Sequence, residues 1–219
     1  MKTLYISAAT VCTLLLSSLA DASGFALGAR AGTAGFGLEA TQSLSSNVNA
    51  RLGVNAYNYA YSTTADNIKY DAELKLQNAS LLLDWHPFSG VFRFSGGLIH
   101  NRNQIDLMAT PVGNTVIGGV SFTPAQIGTL TGVVRFKENV PYAGIGWGNA
   151  SARNKQLGFS LDIGVIFQGS PSVELSSNGA LANDASFQAE LRKEEQNAEA
   201  DLQEYKYYPV VSLGVSYRF

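Results

Sequence analysis

The C-terminal segment of the chain alternates between large apolar side chains and small or polar ones. In residues 207–219 the apolar phase comprises Pro209, Val211, Leu213, Val215, Tyr217 and Phe219, and the other phase comprises Ser212, Gly214, Ser216 and Arg218. A period of two residues places the two phases on opposite faces of a β-strand. The segment therefore predicts a strand with one apolar face and one face of small or polar residues.

The same alternation recurs in six earlier segments, each of which predicts a further strand. They are residues 35–39, 48–56, 68–86, 92–98, 142–147 and 157–168. The apolar phase shifts once within 68–86, and this shift predicts a bulge near Gln77 or Asn78. In 157–168, Ile166 is the one apolar residue that falls in the polar phase.

Composition indicates which solvent the apolar faces meet. Only 15% of the residues are charged, whereas 46% are apolar and 22 are Gly, so the polar faces hold mostly Gly and Ser. After the N-terminal segment, no run of 18 apolar residues could form a transmembrane helix. Small polar residues fit the inside of a narrow barrel, and a closed barrel satisfies every backbone hydrogen bond in lipid. We therefore predict an all-β protein, an antiparallel up-and-down transmembrane β-barrel of the outer-membrane type.

The number of strands follows from the closure of such a barrel. Single-chain bacterial barrels have an even number of strands, and seven are clear in this sequence. The eighth is expected within Phe25–Thr41, which would break near Gly32 and Thr33; the alternative is Ser172–Ser176. We expect eight strands, with ten as the alternative count.

The first 22 residues have the features of a secretory signal peptide. A lysine precedes an apolar stretch over 4–19, and a small-residue cleavage site ends at Ala22. The expected domains are therefore a signal peptide over 1–22 and a barrel over 23–219, in the outer membrane of a Gram-negative bacterium. The single cysteine, Cys12, would leave with the signal peptide, so the mature barrel would hold no disulfide.

The connections between strands sort by length, since such barrels have short periplasmic turns and long extracellular loops. The expected short turns are Leu44–Asn47, Pro87–Gly90 and Ala150–Gln156, and the long loops are Ser62–Asn67, Pro111–Thr131 and about Ser177–Glu204. Apolar residues at helical spacing within the last loop predict one amphipathic helix of about four turns.

The predicted helix is acidic. Residues 190–204 hold six acids and two bases, a net charge of −4. The acidic residues assigned to its extracellular surface are Glu190, Glu194, Glu195, Glu199 and Asp201. They form either a solvated charged face or an electrostatic funnel that concentrates cations at the barrel mouth. Neutralising Glu194, Glu195 and Glu199 should leave folding intact and lower only cation selectivity.

Charged residues in the polar phase of the strands are expected to point into the lumen. They are Glu39, Arg51, Asp84, Arg93, Asp162 and Arg218. An eight-stranded barrel is just wide enough for side chains to fill, and buried charges need partners. Three acids and three bases therefore predict either a plug of internal salt bridges or a narrow polar path. In such a path the acids would contact an ammonium group and the bases a carboxylate.

Four short motifs occur in order along the chain. They are Gly28-Ala29-Arg30-Ala31-Gly32-Thr33, Val140-Pro141-Tyr142-Ala143-Gly144-Ile145-Gly146, Gly169-Ser170-Pro171-Ser172-Val173-Glu174-Leu175 and Tyr207-Tyr208-Pro209-Val210. With the acidic helix before the last strand, they resemble the CarO-type outer-membrane porins of Gram-negative bacteria. The resemblance implies an eight-stranded barrel that takes up small basic amino acids such as ornithine, with a link to carbapenem entry.

Several partners follow from this interpretation. We expect contact with outer-membrane lipid and lipopolysaccharide, recognition of the C-terminal Phe219 by the barrel-assembly machinery, and passage of small solutes. A net charge of −2 gives no basis for nucleic-acid binding, and a barrel of this size is expected to be a monomer.

Two other functions remain open beside a porin. One is a plugged structural or adhesive barrel without transport, and the other is a lipid A-modifying enzyme. An enzyme would need a nucleophile beside a histidine, and the chain offers only His86 and His100, each expected at the membrane interface. We therefore expect no enzymatic activity, no catalytic residue, no metal site and no cofactor.

Overall fold

The computed structural model describes residues 24–65, 68–148 and 156–219. The expected signal peptide and most of the expected turn at 150–156 lie outside the described residues. Within the described ranges the strands are β1 (Phe25–Gly32), β2 (Gly35–Ser43), β3 (Val48–Ala65), β4 (Ile68–Trp85), β5 (Phe92–Asn101), β6 (Gln104–Pro111), β7 (Thr115–Ile117), β8 (Val120–Phe122), β9 (Leu130–Arg135), β10 (Asn139–Trp147), β11 (Leu157–Ile166), β12 (Ser172–Ser177) and β13 (Tyr208–Arg218). The helices are α1 (Pro124–Ile127), α2 (Ala185–Asp201) and a 3₁₀ helix (Leu202–Lys206).

Eight strands close into a ring in which all neighbours are antiparallel. Their order is β1, β2, β3, β4, β5, β10, β11 and β13, and β13 pairs back onto β1 with Val215 opposite Ala29. The eighth strand arises because the chain turns at residues 33–34, next to the expected break at Gly32. The predicted eight-stranded antiparallel barrel is confirmed.

The sheet of the barrel continues beyond the end of the ring opposite the short turns. β4 pairs with β5 over Asn78–Trp85 and with β6 over Ile68–Lys75. β6 pairs in turn with β9, and β9 with β12. We call β3, β4, β6, β9 and β12 the extracellular sheet, since long connections lie outside in barrels of this type.

The predicted bulge near Gln77 or Asn78 is wrong. β3 and β4 pair without interruption, with Asn78 opposite Asn55 and Leu76 opposite Tyr57. Leu76 and Asn78 are both buried and share one face of the strand. The phase of β4 is therefore constant along the strand.

The outer face of the ring is an apolar belt. Leu38, Phe159 and Leu213 are 65%, 76% and 65% exposed. Other exposed members are Leu52, Val54, Leu81, Leu83, Trp85, Leu98 and Val215. An apolar surface of this extent on a β-barrel matches the lipid-facing band of outer-membrane proteins and would be unstable in water.

The predicted helix in the last long loop is confirmed as α2. The Asp184 side chain caps its start by accepting hydrogen bonds from the backbone N–H groups of Ser186 and Phe187. No helix among the described residues is long and apolar enough to cross a membrane.

Residues 111–131 are more ordered than the expected loop. They contain the β7–β8 hairpin and α1, and β9 begins at Leu130. These short elements pack on α2 through a buried apolar cluster of Ile117, Ile127, Phe187 and Leu191. Strands of three residues are too short to give a readable alternation, so the sequence pattern did not predict them.

Candidate functional site

The centre of the barrel lumen is a network of buried charges around Arg51. Its guanidinium lies 2.9 Å from Asp84 Oδ1 and 3.2 Å from Asp162 Oδ2. It also lies 3.4 Å from Glu39 Oε2. All four side chains are at least 94% buried, so one arginine joins three carboxylates that have almost no contact with solvent.

Two further arginines complete the network. Arg93 Nη2 lies 2.8 Å from Asp162 Oδ1, and Arg30 Nη1 lies 3.3 Å from Glu39 Oε2. The resulting group of Arg30, Arg51, Arg93, Glu39, Asp84 and Asp162 is called the ionic layer below. It holds three positive and three negative charges, so its formal charge is zero.

Five of the six predicted lumen residues meet in the ionic layer. The sixth, Arg218, lies at the end of β13 on the inward face that also carries Ser212 and Ser216, where it is half-buried. The sequence pattern did not predict Arg30 as a lumen residue. Its neighbours Gly28, Ala29, Ala31 and Gly32 are all small, so neither phase of β1 stands out as the apolar one. The register gives the missing signal: Arg30 lies opposite Gly37 and Gly214, which leave space for its long side chain.

Small side chains make the ionic layer possible in so narrow a barrel. A Cβ on Gly146 would lie 2.9 Å from both Arg93 Nε and Asp162 Oδ1, closer than such contacts normally allow. Ser95 donates a hydrogen bond of 2.6 Å to Asp84 Oδ1 and accepts one of 3.3 Å from Arg51 Nη2. Glycine and serine therefore provide the space and the hydrogen bonds that buried charges need.

An apolar layer closes the lumen on the extracellular side of the ionic layer. Its members point inward from five of the ring strands, and they are all at least 95% buried: Leu82, Ile99, Val140, Tyr142, Ile166 and Val210. Five of them, all except Val140, line a space of about 10 Å³ together with Arg30, Ala34, Asn55, Asn78 and Ser80. That space is no larger than one water molecule requires.

His86 lies at the periplasmic end of the lumen, in the turn after β4, where its ring forms two hydrogen bonds. Its Nε2 lies 3.3 Å from Asn49 Nδ2, which can only donate, so Nε2 accepts. Its Nδ1 lies 3.0 Å from the Gly90 carbonyl oxygen and must donate. The pair of contacts fixes a neutral ring with the proton on Nδ1, and burial lowers the pKa of His86 below its ordinary value of 6.5.

We expect a pH-dependent loss of stability from His86. Because the pKa of His86 is lowered in the folded state, its contribution to the free energy of unfolding is fully present above pH 6.5. This contribution is lost as the pH falls through the folded pKa, since the protonated ring cannot accept the hydrogen bond from Asn49. Urea unfolding of the detergent-solubilised barrel at pH 8 and pH 5 measures this. The His86→Gln variant should lose less stability over that interval than the parent, and an equal loss in both would contradict the assignment.

The acidic residues of α2 bind the backbone of the extracellular sheet. Glu195 Oε1 accepts from the Leu175 N–H at 2.7 Å, and Glu199 Oε1 accepts from the Val173 N–H at 3.0 Å. Both donors belong to β12, the edge strand of the sheet, so these carboxylates complete its unpaired side. Glu194 Oε2 likewise accepts from the Gly118 N–H at 3.2 Å.

The expectation that neutralising these glutamates leaves folding intact stays a prediction, and this geometry adds the condition that the replacement side chain keeps an acceptor oxygen. Three of the five acidic residues are anchors between α2 and its neighbours rather than a solvated face. Glu190 lies 2.7 Å from Lys193 Nζ, and Asp201 is exposed at the end of the helix. The sequence alone does not predict these hydrogen bonds, because they depend on the position of β12 relative to α2 in the folded protein.

Glu195 offers a test that separates charge from hydrogen bonding. Glu195→Ala should expose the Leu175 N–H and loosen α2, with hydrogen exchange of β12 amides rising about tenfold for a loss of about 1.4 kcal/mol. Glu195→Gln removes the charge but keeps an acceptor, so protection should stay near that of the parent. An increase as large in the glutamine variant would show that charge, rather than the strand edge, governs this contact; Glu204→Gln serves as the control.

Within the described residues, no group of three His, Cys, Asp or Glu side chains is arranged to hold a metal ion. The charges of the lumen are instead satisfied by one another, through the three arginines. Chemically the ionic layer can hold the strands together, and each of its six groups already forms at least one ion pair.

Comparison with known proteins shows which solved structures have a similar architecture. No protein-family model and no curated protein sequence matches the chain. The crystal structure of Acinetobacter baumannii CarO2 is similar over 89% of this chain and 98% of that chain, with a TM-score of 0.59 and 23% identity. The crystal structure of Acinetobacter baumannii CarO is similar over 90% and 98%, with a TM-score of 0.56 and 22% identity. The protein therefore has the CarO-type outer-membrane barrel fold that its sequence motifs resemble.

Proposed function

We propose that the protein is a closed outer-membrane barrel that acts through its extracellular sheet and not by forming an open pore. The observation that carries this proposal is the pair of stacked closures in the lumen, with about 10 Å³ of space among the residues between them. A hydrated ion or an amino acid needs a far larger passage. A structural or adhesive role at the cell surface fits this geometry best.

The closure is energetically stable as well as narrow. A solute path past Arg51 would require the arginine to leave at least one of Glu39, Asp84 and Asp162, each of which is buried. Removing one partner from a buried ion pair costs about 3 to 5 kcal/mol. The apolar layer would also have to separate, which exposes Ile166 and Val210 to water.

Uptake of small solutes is the second candidate function. Its support is the lining: three arginines could contact the carboxylate of a zwitterion, and three carboxylates its ammonium groups. Basic amino acids such as ornithine carry both groups, and the CarO-type resemblance implies the same substrates. This function requires an open state in which the ionic layer exchanges its internal partners for the solute.

Liposomes separate the two candidates. The purified barrel, without the signal peptide, is reconstituted into the bilayer of lipid vesicles. The entry of labelled ornithine, alanine and glucose into these vesicles is then measured. The closed barrel predicts entry no faster than in protein-free vesicles for all three. Entry of ornithine that is faster than that of alanine, and is lost in an Asp162→Asn variant, would favour the transport function.

The surroundings of the barrel are part of the same proposal. The apolar belt fits outer-membrane lipid, and lipopolysaccharide would surround the extracellular sheet. The C-terminal Phe219 is 66% exposed, and its ring lies 5.2 Å from that of Tyr217, so an assembly factor could reach it. Export by the N-terminal signal peptide would deliver a monomer to the outer membrane of a Gram-negative bacterium.

The enzyme alternative gains no support from the two histidines. The His86 ring is engaged by Asn49 and the Gly90 carbonyl, and the His100 ring lies 3.1 Å from Asn139 Oδ1. In the hydrogen bonds of the described residues, neither ring contacts a serine hydroxyl that it could activate. Lipid A modification in cells that overproduce the protein would reopen this alternative.

A further inference from the structure

A second cavity lies above the closed lumen, between the extracellular sheet and the chain that leads into β13. Its volume is about 350 Å³, within the range of small-molecule pockets. Leu76, Ile105 and Val134 come from the sheet, and Tyr205 and Tyr208 from the opposite wall. Tyr208 also packs against the apolar layer, so the cavity sits directly on the closure of the lumen.

The residues that line the cavity are mostly apolar, and they include two buried side-chain amides. Asn103 is 5% exposed and Gln168 is 2% exposed, and both line the cavity. The Asn103 Nδ2 group and the Gln168 Oε1 atom are buried without a hydrogen-bond partner in the structure. Buried polar groups in proteins are almost always paired, so each of these atoms needs a partner that none of the described residues provides.

The orientation of each amide is fixed by its other half. Asn103 Oδ1 accepts from the Gln77 N–H at 3.0 Å, which requires the nitrogen of this amide to be the unpaired atom. Gln168 Nε2 donates to the Tyr205 carbonyl at 2.8 Å, which leaves the oxygen unpaired. One donor and one acceptor are therefore left unpaired among the residues that line the cavity. Gln104, on the same wall, is different, because both halves of its amide are bonded to Asp106 and Arg135.

We propose that this cavity binds a small neutral amphipathic molecule with an apolar body and one amide-like group. The group's carbonyl accepts from Asn103 and its N–H donates to Gln168. None of the described residues that line the cavity is charged, which disfavours an ionised ligand. The volume accommodates about a dozen non-hydrogen atoms, at about 30 Å³ for each water-sized group. This inference does not depend on whether the lumen conducts.

Acetanilide is a suitable probe, since it is a neutral aryl amide of the right size. Isobutylbenzene has a similar shape without polar groups, and phenylacetate is its charged counterpart. Binding is measured by saturation-transfer NMR with the barrel in lipid nanodiscs, with empty nanodiscs as the reference. We expect acetanilide to bind saturably with a dissociation constant of about 1 mM, as befits so small a ligand, and more tightly than the other two.

Two variants test the two halves of the proposal. Asn103→Asp keeps the acceptor for the Gln77 N–H but removes the donor, so acetanilide should bind about tenfold more weakly while isobutylbenzene is unaffected. Ile105→Trp fills the cavity and should abolish binding of both acetanilide and isobutylbenzene. It keeps the proposal testable if Asn103→Asp does not fold. Asn139→Asp makes the same chemical change at an exposed site away from the cavity and should change neither.

Other results would overturn the proposal. Absence of saturable binding above that of empty nanodiscs would show that the cavity is not a site. Unchanged binding in Ile105→Trp would place the probe elsewhere, in the lipid or on the protein surface. Phenylacetate binding as tight as that of acetanilide would contradict a neutral ligand. Each variant is first checked for the folded barrel by its mobility shift on unheated gels.

Discussion

Replacing Arg51 with leucine should lower the free energy of unfolding by about 3 to 5 kcal/mol, because three buried carboxylates lose their shared counter-charge. Arg51 contacts Glu39, Asp84 and Asp162 at 2.9 to 3.4 Å, and all three are buried. Leucine fills part of the volume but leaves these acids facing one another. Urea unfolding of the barrel in detergent, followed by the gel mobility shift, measures the loss.

An exposed ion pair provides the matched control. Arg135 lies 2.6 Å from Glu174, but the two side chains are 45% and 68% exposed. Arg135→Leu should therefore cost less than about 1 kcal/mol. Arg51→Lys keeps the charge without the forked geometry and should lie between the parent and the leucine variant, which preserves a test if Arg51→Leu does not fold. Equal losses at the two sites would show that the ionic layer does not stabilise the barrel.

Gly164→Ala should cost about 1 to 3 kcal/mol by overpacking the lumen. A Cβ at this position would lie 2.6 Å from Cζ and 2.7 Å from Cε2 of Tyr142, and would also overlap its hydroxyl oxygen. Tyr142 is 5% exposed and belongs to the apolar layer, so it has little room to move. The added methyl group forces the ring out of its place between β10 and β11.

A glycine on the same barrel serves as the control. A Cβ on Gly96 would meet only the Tyr142 backbone oxygen, at 3.8 Å, an ordinary contact. Gly96→Ala should therefore leave the urea midpoint nearly unchanged. The double variant Gly164→Ala and Tyr142→Leu should cost less than the sum of the two single changes, because the smaller side chain makes room. Additive losses would mean that the clash with Tyr142 is not the cause.

The alternation of the sequence was sufficient to predict the barrel and most of its lumen. A period of two fixes which residues of a strand share a face, so residues such as Asp84 and Asp162 were assigned to the inside without knowledge of the strand pairing. The outward belt followed from the same rule, as the exposure of Leu213 and Phe159 confirms. These features depend on local sequence alone.

The features that the sequence did not predict depend on contacts between distant segments. The apolar layer includes Ile166 and Val210, which fall in the polar phase of their strands. Both are apolar residues like those of the lipid-facing belt, so residue type alone does not assign them to the lumen. The extracellular sheet requires β4 to exchange β5 for β6 as its partner at residues 76–78, where the shift of the apolar phase predicted a bulge instead. The bond from Leu175 N–H to Glu195 joins two elements that the pattern treats separately.

The central claim, a barrel with lipid outside and a closed lumen, is tested most directly by spin labels along β13. Cys12 is the only cysteine of the chain, so single cysteines at positions 210–216 can be labelled in a protein that lacks residues 1–22. In bilayers, collisions with oxygen should peak at Val211, Leu213 and Val215, and a water-soluble nickel chelate should reach none of the seven positions. Nickel collisions that peak at Ser212 and Gly214 would reveal a water-filled pore. Nickel collisions that peak at Leu213 would place the outer face in water, and either result would contradict the account.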